Sequence, residues 1–147
     1  MWRRLAAIAV TAVLAGACVG PSRTDADYRN KAANAAESML SAVETARLVV
    51  ETDARGSSTA RYTSLVLSES EDAASSVALS FEVVQPPSRA AVALREQVTG
   101  VFDEVTSTLS DLRIAARAGR HGELPDLAEP LAGLREALLD LTRLAPT

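Results

Sequence analysis

The segment YRNKAANAAESMLSAVETARLVV, residues 28–50, decides the fold because its apolar residues recur with the period of an α-helix. These residues step along the chain by alternating intervals of three and four positions, and they are Tyr28, Ala32, Ala35, Met39, Ala42, Ala46 and Val49, widened by Ala36, Val43 and Val50. Such spacing places them on one face of a helix. Asp25 and Asp27 favour a helix start before this stripe, and Gly56 favours a stop after it. We therefore predict a helix over residues 25–54.

Two later segments repeat this pattern. The stripe of the third segment consists of Ala91, Leu94, Val98, Val101, Val105, Thr108, Leu112 and Ala115, and that of the fourth of Leu124, Leu127, Leu131, Leu134, Leu138, Leu141 and Ala145. Ser88 is suited to cap the start of the third helix, and Gly119 is suited to end it. The spacing predicts helices over residues 88–118 and 123–144.

The second segment, residues 58–84, allows two interpretations. Its TSLVLS stretch is compatible with a β-strand, whereas a longer stripe has helical spacing and consists of Tyr62, Val66, Ser70, Ala73, Val77, Phe81 and Val84. A strand would need a partner, and no other segment shows a period of two. We interpret the segment as a helix with a loosely packed middle, ended by the prolines of QPPS because a residue before proline avoids the helical conformation.

Four helices joined by short turns pack most simply as an antiparallel up-down-up-down bundle, so we predict an all-α four-helix bundle over residues 25–147. Two details follow. Counted from the turn at Pro86 and Pro87, Gly100 would lie level with Ala73 and Ala74 and allow a close approach of the second and third helices. Pro130 would give the fourth helix a kink or a short first turn and not a break, because the leucine stripe continues in phase.

The first 17 residues have the three parts of an export signal. Arg3 and Arg4 precede an apolar run, which ends in the small residues Ala15, Gly16 and Ala17. The run is about 13 residues long, whereas a membrane-spanning helix needs about 20. Residues 1–17 are therefore predicted to be a cleaved signal peptide, and residues 18–24 a short linker.

Two interpretations of the cut place it between Ala17 and Cys18. Ordinary signal removal would leave a secreted protein with a free N-terminal cysteine. Alternatively, the motif LAGAC, Leu14 to Cys18, resembles the lipobox of bacterial lipoproteins, although Ala15 stands where that family most often has leucine. The resemblance implies a diacylglycerol on the Cys18 thiol and attachment to the extracytoplasmic face of the cell membrane. Because a lone cysteine in an exported chain needs a partner or a modification, we favour lipidation over a free thiol or an intermolecular disulfide.

Composition limits the partners of the mature chain. Two of the 15 basic residues, Arg3 and Arg4, lie in the signal, so the mature chain carries 13 basic against 19 acidic residues, a formal charge of −6. This balance argues against nucleic acid, which is bound through Lys and Arg. The runs DYRNKAANAAES, FEVVQPP and LRIAARAG are similar to those of small actinobacterial lipoproteins to which no activity is assigned. That resemblance implies no site residues.

Candidate sites within the bundle are few. Arg113, Arg117 and Arg120 recur on one helix face near Arg55 and Arg61, which suggests an anionic-ligand patch; the alternative is that they balance nearby carboxylates at a helix C-terminus. The acidic run ESED, residues 69–72, lacks the ligand spacing of a calcium loop and is better explained as a solvated face. His121, between two glycines, is interpreted as a turn residue, and the four mature-chain aromatics, Tyr28, Tyr62, Phe81 and Phe102, as core.

No motif indicates catalysis, so we expect no enzyme activity, no cofactor and no metal site. The G-x-S-x-G elbow, the glycine-rich phosphate loop and the Glu-x-x-His pairs of di-iron bundles are all missing from the sequence. We expect a membrane-anchored envelope lipoprotein that acts as an interaction or structural module with an envelope protein as its partner. The alternative is a carrier or sensor whose bundle holds a small apolar or amphipathic ligand.

Overall fold

A computed structural model describes residues 22–145, which form an all-α bundle with no strand in that range. Helix α1 is Asp25–Ala54, α2 is Ala60–Glu82 and α3 is Arg89–Arg117. A 3-10 turn, His121–Glu123, leads into α4, Leu124–Ala128, and α5, Pro130–Thr142. We call α4 and α5 together the C-terminal arm. The predicted four-helix bundle is confirmed, with the arm as its fourth member.

Side-chain caps begin the three long helices. The hydroxyls of Thr24, Thr59 and Ser88 accept hydrogen bonds from the backbone N–H groups three positions ahead, at 3.1, 3.3 and 3.2 Å. The cap of α1 is therefore Thr24, and Asp25 and Asp27 lie in the first turn. Gly56 and Gly119 follow α1 and α3 with φ of 67° and 73°, a conformation that side chains with a Cβ rarely adopt. Both predicted glycine stops are confirmed.

Helix α1 is the central element of the bundle. It packs against α2, α3 and both helices of the C-terminal arm. Nine of the ten residues of its predicted stripe are buried, and the tenth, Ala35, packs against the core from a half-buried position. Helix α2 packs extensively against α1 and α3 only, so one side of α2 is left without a neighbour among the described residues.

The buried face of α2 differs from the predicted one along part of the helix, whereas Ser70 and Phe81 are buried as predicted. The predicted stripe begins at Tyr62, but Tyr62 is 56% exposed and its neighbour Thr63 is fully buried. Leu67 and Ala74 are likewise buried beside the predicted Val66 and Ala73. Thr63 lies on the buried face with its hydroxyl hydrogen-bonded to Asp53 at the end of α1, and Leu67 lies on the same face. The prediction that Tyr62 belongs to the core is wrong.

Three aromatic rings pack together where α1, α2 and α3 meet. The ring centres of Tyr28 and Phe81 lie 5.7 Å apart, as do those of Phe81 and Phe102, the latter pair edge to face. All three side chains are buried. Burial raises the pKa of the Tyr28 phenol, and the positive charge of Arg95 opposes that rise. The phenol therefore stays neutral at physiological pH and adds no charge to the core.

Helices α2 and α3 pack in a different register from the predicted one. Gly100 is exposed, and a Cβ added to it would meet no atom within 4 Å. Phe81 packs on Phe102, and Glu71 pairs with Arg113, so Gly100 lies level with the end of α2 and not with Ala73. The predicted close approach is wrong, because the connection through Pro86 and Pro87 takes up length along the bundle and displaces α3 toward the start of α1. Ser88 there donates a hydrogen bond to Asp25, at 2.7 Å.

Pro130 interrupts the C-terminal arm as predicted. Helical hydrogen bonding changes around it, since the N–H groups of Glu129 and Ala132 bond to carbonyls three positions back, at 3.3 and 3.2 Å. Glu129 keeps helical angles, φ −52° and ψ −44°. The buried leucines continue through both helices and are Leu124, Leu131, Leu134, Leu138 and Leu141. The arm therefore presents one apolar face to α1 and α3 despite the proline.

Candidate functional site

Cys18, the residue predicted to carry a lipid, lies outside the described residues, as does the whole of the predicted signal, residues 1–17. The described chain starts at Ser22, and α1 begins at Asp25. Within residues 22–145, no helix combines the length and the hydropathy needed to cross a membrane.

We call the end of the bundle that holds Asp25 and Ser88 the proximal end, and the end that holds Asp53 and His121 the distal end.

The three arginines predicted to form an anionic-ligand patch are mostly engaged with other side chains. Arg113 donates to both carboxylate oxygens of Glu71 on α2, and Arg120 donates to the carboxylate of Glu123. Arg117 Nη2 donates to Ser68 Oγ at 3.1 Å. The hydrogen bond with Glu71 raises the pKa of Arg113, so its guanidinium stays charged. Two of the three guanidinium groups thus already hold a carboxylate, and the patch stays a prediction.

A polar cluster that sequence reasoning missed joins three segments at the distal end. Asp53, at the end of α1, accepts a hydrogen bond from Thr63 Oγ1 on α2 at 2.7 Å. His121 Nδ1, in the 3-10 turn, lies 3.1 Å from each oxygen of the same carboxylate. Ser58 Oγ lies 2.9 Å from Thr63 Oγ1. We call Asp53, Ser58, Thr63 and His121 the distal cluster.

The geometry of the distal cluster indicates a structural role for Asp53. Its side chain is only 10% exposed, and a buried carboxylate is costly unless its oxygens are hydrogen-bonded. Here both oxygens are used, one by Thr63 and both by His121. Asp53 thereby joins the end of α1 to the first turn of α2, through Thr63, and to the turn after α3, through His121. The sequence does indicate that this contact could form, because the antiparallel order of the helices brings residues 53 and 121 to the same end of the bundle.

We expect Asp53→Ala to lower the free energy of unfolding by about 2 kcal/mol, because a buried hydroxyl and an imidazole lose their acceptor. Glu51→Ala is the matched control, since Glu51 is exposed near the same helix end, and we expect a change within about 0.5 kcal/mol. Urea unfolding followed by circular dichroism measures both. Equal effects of the two substitutions would show that the distal cluster contributes no stability.

The acidic run 69–72 has the arrangement expected for a helix surface. Glu69 and Asp72 are exposed, Glu71 pairs with Arg113, and Ser70 is buried. No group of three or more potential metal-ligating side chains occurs within residues 22–145. The run therefore contributes charge to the outside of α2.

Several grooves lie between neighbouring helices of the described residues. One, of about 320 Å³, lies between α1 and α2 and is lined by Lys31, Ala35, Val77, Phe81 and Val84 among others. Another, of about 330 Å³, lies between α1 and the C-terminal arm beside Arg47 and Val50. Both open to solvent. The alanines in the middle of α1, Ala42 and Ala46, are buried in the core, and a third groove, of about 230 Å³, lies beside Ala42 between α1 and α2.

The chain matches no protein-family model, and no curated protein or solved structure is detectably similar to it. The sequence and the geometry of the bundle are therefore the basis for assigning a role.

Proposed function

We propose that the protein is a cell-envelope lipoprotein, held on the extracytoplasmic face of the membrane by a lipid on Cys18. The observation that carries the proposal is the motif LAGAC directly after a short basic and apolar signal, with Cys18 as the only cysteine of the chain. A thiol in that place has no second cysteine to pair with in the same chain. Diacylglycerol supplies two acyl chains, and two chains give stable attachment where one gives marginal binding.

The bundle is proposed to act as a non-enzymatic interaction or structural module close to the membrane. Helix α1 begins seven positions after Cys18, and seven extended residues span at most about 25 Å. The proximal end would then face the membrane, and the distal cluster would lie away from it. The partner in this proposal is an envelope protein, bound through side chains that the bundle leaves exposed.

A role as a ligand carrier or sensor stands second. It would need space for an apolar or amphipathic molecule within the bundle, whereas the grooves between α1 and its neighbours open to solvent. The buried alanines Ala42 and Ala46 belong to the packed core, and the groove beside Ala42, between α1 and α2, also opens to solvent. The interaction role needs only the exposed surface, so we place it first.

The chemical state of the N-terminus tests the proposal. We expect the mature protein to begin at Cys18 and to carry a thioether-linked diacylglycerol, seen as incorporation of a labelled fatty acid and as the matching mass of the N-terminal peptide. Base treatment that hydrolyses esters should remove the ester-linked chains. A mature chain that begins at an unmodified Cys18 would overturn lipidation in favour of ordinary signal removal.

A further inference from the structure

Helix α2 carries a second apolar stripe on the side that faces away from the bundle. Its members step by three and four positions, and they are Tyr62, Leu65, Glu69, Asp72, Ser76, Leu79 and Val83. At 100° per residue they fall on one face, opposite the buried residues Thr63, Leu67, Ala74 and Phe81. We call these seven residues the outer stripe.

The apolar members of the outer stripe are large and well exposed. Tyr62, Leu65, Leu79 and Val83 are between 54 and 65% exposed. Single exposed apolar residues are ordinary on a protein surface, but these four share one helix face and form a pair at each end of it. Pairs at such spacing are the anchors by which two helices pack along each other. The outer stripe is thus patterned like the seam of a helix–helix interface.

The middle of the outer stripe is acidic. Glu69 and Asp72 lie between the two apolar pairs, and neither forms an ion pair with a described residue. Of the nearby cations, Arg113 is hydrogen-bonded to Glu71, although its charge also acts on Asp72, and Arg117 donates to the neutral hydroxyl of Ser68. Within Ala60–Glu82, Arg61 is the only Lys or Arg of the helix itself. A helix that packs against the outer stripe would therefore need positively charged side chains opposite Glu69 and Asp72.

This charge order decides between two kinds of occupant. If a second copy of the chain packed its own outer stripe here with the ends aligned, Glu69 and Asp72 of both copies would meet at the centre. Like charges in that position disfavour pairing. An amphipathic helix with apolar residues at both ends and Arg or Lys in the middle would satisfy the apolar pairs and the carboxylates together.

We propose that the outer stripe of α2 is the docking surface for an amphipathic helix of another protein, with basic residues at its centre and apolar residues on either side. This inference rests on the proposed interaction role and names its surface; it does not depend on the lipid anchor. Hydrophobic contact at both ends would supply the attraction, and the central charges would select the partner.

Two synthetic peptides of the length of α2 test the docking surface. The basic peptide carries leucine opposite the four apolar residues of the stripe and arginine opposite Glu69 and Asp72, and the acidic peptide has glutamate in place of those arginines. Binding to the full mature protein in detergent is measured by fluorescence anisotropy. We expect the basic peptide to bind at least about tenfold more tightly than the acidic one.

Matched variants test whether the peptide preference comes from the outer stripe or from a general attraction of cations to an acidic protein. Glu69→Arg/Asp72→Arg should reverse the peptide preference, whereas Glu104→Arg/Asp111→Arg, the same charge change on α3, should leave it in place. Leu65→Asp/Leu79→Asp should abolish binding of both peptides. Circular dichroism verifies that each variant keeps its helix content.

Four results would overturn the proposal: no binding of the basic peptide, equal binding of both peptides, a preference that the variant at Glu69 and Asp72 leaves unchanged, or a preference that the control variant on α3 also reverses. If the wild-type protein forms a dimer in sedimentation and Leu65→Asp/Leu79→Asp dissociates it, the stripe would be assigned to a second copy of the chain.

Membrane fractionation of the same samples distinguishes failure of the docking surface from failure of the lipid anchor. Loss of the peptide preference with intact membrane attachment refutes the docking surface alone, and a soluble wild-type protein that keeps the preference refutes the lipid anchor alone.

Discussion

Cys18→Ser is expected to move the protein from the membrane fraction to the soluble extracytoplasmic fraction and to abolish incorporation of labelled fatty acid. Serine keeps the size of the side chain but removes the thiol that accepts the diacylglycerol. Each buried CH₂ of an acyl chain contributes about 0.8 kcal/mol to membrane binding, so the loss of two chains removes nearly all of the attachment. Fractionation followed by immunoblotting measures the result.

Ala15→Leu is the matched control for the membrane release, because it brings the LAGAC motif closer to the commonest lipobox and leaves Cys18 in place. We expect this variant to stay in the membrane fraction with at least the wild-type level of labelled lipid. A Cys18→Ser variant retained on membranes would refute the lipid as the cause of attachment. A wild-type protein already soluble and reactive toward thiol reagents would favour the free-cysteine interpretation.

The helices of this protein could be predicted from the sequence because their apolar spacing is regular over many turns. The stripe of α1 is correct almost residue for residue, and the leucine stripe of the C-terminal arm continues past Pro130 as predicted. The face of α2 was less certain, because Val66 and Leu67 both have helical repeats and differ by only 100° around the helix. In the structure the buried face is that of Leu67 and Thr63, and Thr63 is hydrogen-bonded to Asp53, a residue ten positions earlier.

Register and polar contacts between helices were harder to predict for a physical reason. Helical periodicity tells which face is buried but not how far one helix is displaced along another. The displacement of α3 depends on how the chain through Pro86 and Pro87 extends, which apolar spacing does not contain. The distal cluster likewise depends on side-chain reach between residues 68 positions apart, and only the antiparallel topology suggests that Asp53 and His121 share an end.

The largest expected effect on stability comes from the aromatic contact that holds α2 and α3 to α1. Phe102 is 1% exposed and packs edge to face against Phe81, which packs in turn on Tyr28. Helix α2 buries few large side chains besides Phe81 and Leu67, so this contact supplies much of its attachment. Phe102→Ala would leave a cavity where three helices meet, and such substitutions cost about 3–5 kcal/mol.

We therefore expect Phe102→Ala to lower the free energy of unfolding by about 4 kcal/mol, a large part of the 5–15 kcal/mol typical of a domain. Urea unfolding followed by circular dichroism measures this loss in the Cys18→Ser background, which avoids detergent.

Two variants serve as controls. Leu79→Ala removes a large apolar side chain from the exposed face of α2 and should change the free energy of unfolding by less than about 0.5 kcal/mol. Tyr28→Phe keeps the ring and removes a buried hydroxyl that has no hydrogen-bond partner among the described residues, so it should cost nothing. If Phe102→Ala cost no more than Leu79→Ala, the ring would not be packed against α2 in solution, and the packing of α2 on which the outer stripe depends would be wrong.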